Sequence, residues 1–119
     1  MDIQSLLGFT LEACRFSRSS CAFEFSGLLG DRHVTLIVST SSSVSVAGGP
    51  RVDLLEDFSR GVWPLLERQI TRIETDAQAF EARFEFGAGR GFTVWADGPP
   101  IDNLLLVRDR DNGAWFPVL

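Results

Sequence analysis

Apolar and polar residues alternate with period two along several short stretches, which places successive side chains on opposite faces of pleated strands. Phe80, Ala82, Phe84 and Phe86 fall on one face, with Glu81, Arg83 and Glu85 on the other. Cys21, Phe23 and Phe25 alternate in the same way with Ala22, Glu24 and Ser26, and Val34, Leu36 and Val38 with Thr35, Ile37 and Ser39. These read as half-buried antiparallel strands. Turn-forming residues separate them at Arg18-Ser19-Ser20, Gly30-Asp31-Arg32, Asp76-Ala77-Gln78, Gly87-Ala88-Gly89-Arg90-Gly91, Asp97-Gly98-Pro99-Pro100 and Asp111-Asn112-Gly113, giving hairpins in series. One stretch follows the helical period instead: Leu54, Leu55, Phe58 and Val62 form a single stripe, predicting a helix around 52–63. Asp53, Glu56 and Asp57 suit the positive end of its dipole, and Pro64 enforces an end or kink.

The strand patterns recur. Leu6-Leu7-Gly8-Phe9-Thr10-Leu11-Glu12-Ala13-Cys14 lines up with Leu65-Leu66-Glu67-Arg68-Gln69-Ile70-Thr71-Arg72-Ile73, keeping apolar residues at the first, second, sixth and ninth places. Phe23-Glu24-Phe25 then matches Phe84-Glu85-Phe86, and Val34-Thr35-Leu36 matches Phe92-Thr93-Val94. Each copy closes on another apolar run, Val44-Ser45-Val46 in one and Leu104-Leu105-Leu106-Val107 in the other. The expected fold is therefore an α+β domain spanning residues 1–119, with pseudo-repeats over approximately 5–47 and 64–107. Two antiparallel β-meanders would form a curved sheet, split barrel or sandwich, with one central helix packed across an opening.

The chain's 119 residues include ten Phe and three Trp, enough apolar area for one core and too much for a disordered segment. Arginine supplies all eleven cations against sixteen carboxylates, a net charge of −5. That balance argues against direct nucleic-acid binding, whose affinity comes from neutralising phosphates, and favours a basic partner. No signal-like stretch opens the chain and no window approaches the roughly 20 apolar residues of a membrane span, so residence in the cytoplasm is expected. Cys14 and Cys21 then read as reduced, half-buried thiols able to face each other across a hairpin.

The chemistry-bearing residues make a sparse set. His33, the single histidine, cannot build a multi-histidine zinc site and reads as a surface residue at a turn edge, with general-base work beside Asp97 or Asp102 as the alternative. Asp109-Arg110-Asp111-Asn112-Gly113 lacks the spacing and the later Glu of a calcium loop, and reads as a hairpin turn. A glycosidase pair can be drawn from Asp97, Asp102, Glu81 and Glu85, yet sixteen acids in a small domain make some such pair inevitable. The glycines of 87–91 join strand to strand, whereas phosphate cradles lie between a strand and a helix. Neither catalytic residues, nor a metal site, nor a cofactor is expected. Thr40–Val46 reads as a solvated loop or a hydroxyl-rich edge strand. Trp63 and Trp115 are expected to cover the ends of a β core. Trp95, alternating with the inward Val94, is expected to face outward beside Asp97. With Asp97, Asp102, Asp109 and Asp111 it forms the expected partner-binding surface.

Pro64–Glu74, followed by Phe84-Glu85-Phe86 and Phe92-Thr93-Val94, resembles the leucine-leucine-glycine and β-hairpin signature of small uncharacterised bacterial domains. Some of those families are found among the immunity proteins of contact-dependent and polymorphic toxin systems. Leu6-Leu7-Gly8 matches the opening triplet; in the second copy Glu67 stands where the signature has Gly. The resemblance implies a non-enzymatic, cytoplasmic inhibitor, monomeric or homodimeric, that binds and neutralises a basic toxin or effector. Alternatives are a small ligand-binding protein or enzyme with a pocket between sheet and helix, a phage-type nuclease inhibitor, and a homodimeric structural subunit.

Overall fold

The computed structural model describes residues 3–16, 20–27, 32–39, 43–46, 61–76, 78–79, 81–95, 106–109 and 115–117. Nine strands run through them: β1 (Thr10–Phe16), β2 (Ser20–Ser26), β3 (His33–Ser39), β4 (Ser43–Val46), β5 (Arg72–Asp76), β6 (Glu81–Glu85), β7 (Gly91–Trp95), β8 (Leu106–Asp109) and β9 (Trp115–Pro117). They make a five-stranded sheet in the order β1-β2-β3-β8-β9 and a four-stranded sheet in the order β4-β7-β6-β5, antiparallel throughout. Each sheet is thus a three-stranded meander extended by strands from the other half of the chain. β4 leaves the first meander to pair with β7, and β8 leaves the second to pair with β3. The exchange interlocks the two halves.

The alternation of the sequence accounts for the core. Cys21, Phe23 and Phe25 of β2, Val34, Leu36 and Val38 of β3, Ala82 and Phe84 of β6, and Phe92 and Val94 of β7 are all buried. Phenylalanine rings join the sheets face to face. Phe23 stacks on Phe92 with centroids 4.4 Å apart and planes 9° apart, Phe84 lies 5.1 Å from Phe92, and Phe25 lies 6.5 Å from Phe84. Burying each such ring contributes about 1.5–3 kcal/mol, and each aromatic pair adds about 0.5–1.5 kcal/mol. The result is a β-sandwich.

Two short turns join the sheets along one edge. The segment Leu6 to Leu11 and the segment Leu65 to Ile70 run antiparallel, with an isolated bridge between Thr10 and Gln69. Their hydrogen bonds come in matched pairs. Gly8 N–H donates to the Ile70 carbonyl (2.8 Å) as Glu67 N–H donates to that of Leu11 (2.8 Å), and Phe9 N–H reaches Leu6 (3.0 Å) as Arg68 N–H reaches Leu65 (3.1 Å). Ile70 N–H to Phe9 (2.8 Å) answers Leu11 N–H to Arg68 (3.0 Å), and Leu7 N–H to Gln4 (3.2 Å) answers Leu66 N–H to Trp63 (3.2 Å). One fixed sequence shift relates every bond to its counterpart: the shift that carries Leu6-Leu7-Gly8 onto Leu65-Leu66-Glu67. Thr10 and Gln69 are themselves related by that shift, so a local two-fold axis passes through their bridge.

This architecture corrects the expected α+β class with its central helix. The described residues are mostly β, and their 3₁₀ helices are single turns, Ile3–Leu6 and Trp63–Leu65. Most of the predicted helical stripe, including Leu54, Leu55 and Phe58, lies outside the described residues; Gly61 and Val62 are helical and lead into the second turn. There Pro64 falls in the first turn, where a missing N–H costs nothing. Val62 and Leu65 enter the core, in keeping with the three-residue period of a 3₁₀ turn. Trp63 is left 74% exposed, against the expectation that it covers an end of the core.

Candidate functional site

The outer face of the four-stranded sheet is built by the residues that alternate with the buried phenylalanines. Pairing between strands sets them in rows. Asp76 of β5 lies opposite Glu81 of β6, which lies opposite Trp95 of β7; Glu74, Arg83 and Thr93 form the next row; Arg72, Glu85 and Gly91 form the third. Charges of opposite sign therefore face one another in the second and third rows, whereas Asp76 and Glu81 set two carboxylates opposite each other in the first. Arg72 pairs with Glu74 and reaches Glu85 at 4.0 Å, while Arg83 reaches Glu74 at 3.6 Å and Glu81 at 3.8 Å. These side chains are solvated, so each pair contributes at most about 1 kcal/mol to stability. What they fix is geometry: three carboxylates share two guanidiniums, and with Asp76 on the same face the surplus is negative.

A groove of about 200 Å³ opens on this face, lined by Glu74, Thr75, Asp76, Glu81 and Arg83. Pockets for drug-sized ligands typically run to about 300–1,000 Å³, so this one is scaled to a single long side chain. Asp76 is held at its rim by an Asx turn, Oδ1 accepting the N–H groups of Gln78 (3.0 Å) and Ala79 (3.2 Å). Trp95 is half-buried at the end of the same row.

The expected surface is only partly assembled there. Asp109 ends β8 in the other sheet, its backbone paired with Val34, while Trp95 belongs to the four-stranded sheet. Asp97, Asp102 and Asp111 lie outside the described residues. The acids that do line up with Trp95 are Glu81 and Asp76, with Glu74 one row away. Strand alternation had already turned Glu81 and Glu85 outward; the missing signal was the register that sets Asp76 and Glu74 beside them. As a candidate glycosidase pair, Glu81 and Glu85 sit about 13 Å apart along the strand backbone, with their carboxylates paired to different guanidiniums, Glu81 to Arg83 and Glu85 to Arg72.

The outer face of the five-stranded sheet differs. A β-bulge between Leu11 and Ala13 puts an extra residue, Glu12, into β1. Ser26, buried at the end of β2, donates its hydroxyl to the exposed Glu12 carboxylate. His33 is exposed at the start of β3, in register with Ser26. The serine proton is thus directed at the Glu12 carboxylate. Elsewhere on this face Ala13, Ala22 and Ile37 are half-buried, and Arg15 pairs with Glu24 at 3.2 Å.

Cys14 and Cys21 are free thiols with sulfurs 3.3 Å apart, the first half-buried and the second fully so. The hydrogen bond shared with Cys14, burial and the Cys14 charge together push the Cys21 thiol well above its ordinary range. The segment from Gly87 to Arg90 closes a hairpin from β6 to β7, with Arg90 N–H donating to the Gly87 carbonyl (3.0 Å) and Phe86 N–H to that of Arg90 (2.8 Å). Among the described residues, no cluster of three or more His, Cys, Asp or Glu has the arrangement of a metal site, and no helix is long and apolar enough to cross a membrane. The sequence matches no family model, no curated protein and no solved structure.

Proposed function

We propose that this protein works by contact: an immunity-type inhibitor that binds a basic toxin or effector through the outer face of β5, β6 and β7. The observation that carries the reading is the excess of carboxylates held in register beside Trp95. Glu74, Asp76 and Glu81, with Thr75 and the already paired Arg83, line a groove scaled to one lysine or arginine side chain of the partner. The half-buried indole offers an apolar contact at its end, and tryptophan is enriched among residues that dominate interface energies. Surplus negative charge speeds encounter with a cationic surface, and desolvation around the indole slows release. The interior supports the same reading, since the space between the sheets is occupied by Phe23, Phe25, Phe84 and Phe92.

Co-expression with each product of the neighbouring genes tests it. A basic partner is expected to co-purify, with affinity that falls as salt rises. Reversing charge with Glu74→Arg and Glu81→Arg is expected to weaken that complex about tenfold or more, chiefly through slower association. Capture of no neighbouring product, or an affinity indifferent to both substitutions, overturns the proposal.

A further inference from the structure

The two cysteines meet through a local irregularity of β1. Leu11 lies opposite Phe25 and faces the core. Under strict alternation Ala13 would also face inward and Cys14 outward. The bulge reverses this: Ala13 comes to lie opposite Glu24 and Cys14 opposite the buried Phe23, which brings Cys14 onto the core face. Cys21, paired with Phe16 on the neighbouring strand, occupies the adjacent diagonal position, and the two sulfurs touch at 3.3 Å. The hydrogen bond between Glu12 and Ser26 pins the extra residue that makes the meeting possible. A fully buried thiol in contact with a half-exposed one is the arrangement of a resolving cysteine beside an oxidisable cysteine.

We propose that Cys14 and Cys21 form a reversible oxidation site whose co-reactant is a hydroperoxide. The Cys14 thiolate attacks the terminal oxygen; an S–O bond forms, the O–O bond breaks, and the leaving oxygen takes up a proton to depart as water or an alcohol. Cys14 has then lost two electrons and become a sulfenic acid, and the peroxide has gained them. The Cys21 sulfur next attacks that of Cys14. The S–S bond forms, the S–O bond breaks, and hydroxide leaves as water with the thiol proton of Cys21. Opposite partners on a ladder sit closer than diagonal ones, so closing this bridge draws the end of β1 toward β2. Phe16, the last residue of β1, lies opposite Cys21 and is 43% exposed, so this movement shifts an exposed ring. This site stands apart from the acidic face and does not depend on the partner reading.

The test treats the intact folded protein with dilute hydrogen peroxide, then blocks free thiols with iodoacetamide and measures intact mass and linked peptides. A monomer lighter by two hydrogen atoms is expected, with Cys14 and Cys21 joined and both alkylatable again after dithiothreitol. Closure should be at least about tenfold faster in the folded protein than in urea, because the sheet holds the sulfurs together. In Cys21→Ala, dimedone should capture a sulfenic acid on Cys14, and Cys14→Ser should leave Cys21 unlabelled; Cys21→Ser replaces the alanine variant should that one fail to fold. Thiols still alkylatable after peroxide, products linked only between molecules, equal rates in urea, or first capture at Cys21 would each overturn the proposal.

Discussion

The turn Leu6-Leu7-Gly8 and the turn Leu65-Leu66-Glu67 have one backbone and two chemistries. In each a leucine is buried at the first place, at 0% for Leu6 and 1% for Leu65, and the third residue is left-handed, with φ of 84° at Gly8 and 67° at Glu67. Glycine enters that region freely, whereas a residue with a Cβ is strained there. Glu67 is held in place because its N–H donates to Leu11 and its neighbours exchange further bonds with Phe9 and Leu11. The comparison teaches that the paired hydrogen bonds and the buried leucines define this turn, and that glycine only makes it easier to form. Outside the core the two copies diverge: the place of Gln4, whose amide donates to the Ile73 carbonyl at 3.0 Å, is taken in the second turn by the exposed Trp63.

Five substitutions at three places in the turn, read from urea or thermal unfolding, press on this equivalence. The largest effect belongs to the leucines: Leu6→Ala and Leu65→Ala should each lower stability by about 3 kcal/mol, and a clearly smaller loss at one of them would break the equivalence. Next come the left-handed positions, where the copies should respond with opposite sign. Gly8→Ala should cost about 1–2 kcal/mol, whereas Glu67→Gly should add about 0.5–1 kcal/mol, the relief of strain less the entropy of a freer unfolded chain. Equal destabilisation at both would mean that the Glu67 side chain makes a compensating contact. Trp63→Gln should have the smallest effect, within about 0.5 kcal/mol, because the indole is mostly solvated; a larger loss would show it packing on the core.

The same contrast explains what could be read from the sequence. Period-two alternation located β2, β3 and β6 and their buried apolar residues, because one face of each must leave water, and the match of Phe92-Thr93-Val94 to Val34-Thr35-Leu36 located β7. Sequence similarity related the two turns, because leucine burial leaves a mark at fixed spacing. Strand partnership leaves no such mark: the apolar runs containing β4 and β8 fit either sheet equally well, and their exchange becomes visible only through pairing. The acidic face was hidden for that reason, Glu81 being legible as outward but its neighbours Asp76 and Glu74 being set by register. That Cys14 and Cys21 can face each other across a hairpin was legible from their spacing; the bulge that turns Cys14 to the core face was not, since one inserted residue reverses which face it occupies. The helical stripe correctly turned Val62 inward, but Trp63, expected to cover an end of the core, is turned out by the tighter 3₁₀ turn that buries Leu65 as well.

The exchange of β4 and β8 also bears on how such a molecule can assemble. Either half alone, β1–β4 or β5–β8, would carry a fourth strand whose partner lies in the other half, and two separate halves would have to exchange those strands to complete both sheets. Two free chains would make this trade at a rate and extent set by their concentration. Tethered in one polypeptide, the two lenders are always within reach, and closure of the sandwich becomes independent of dilution.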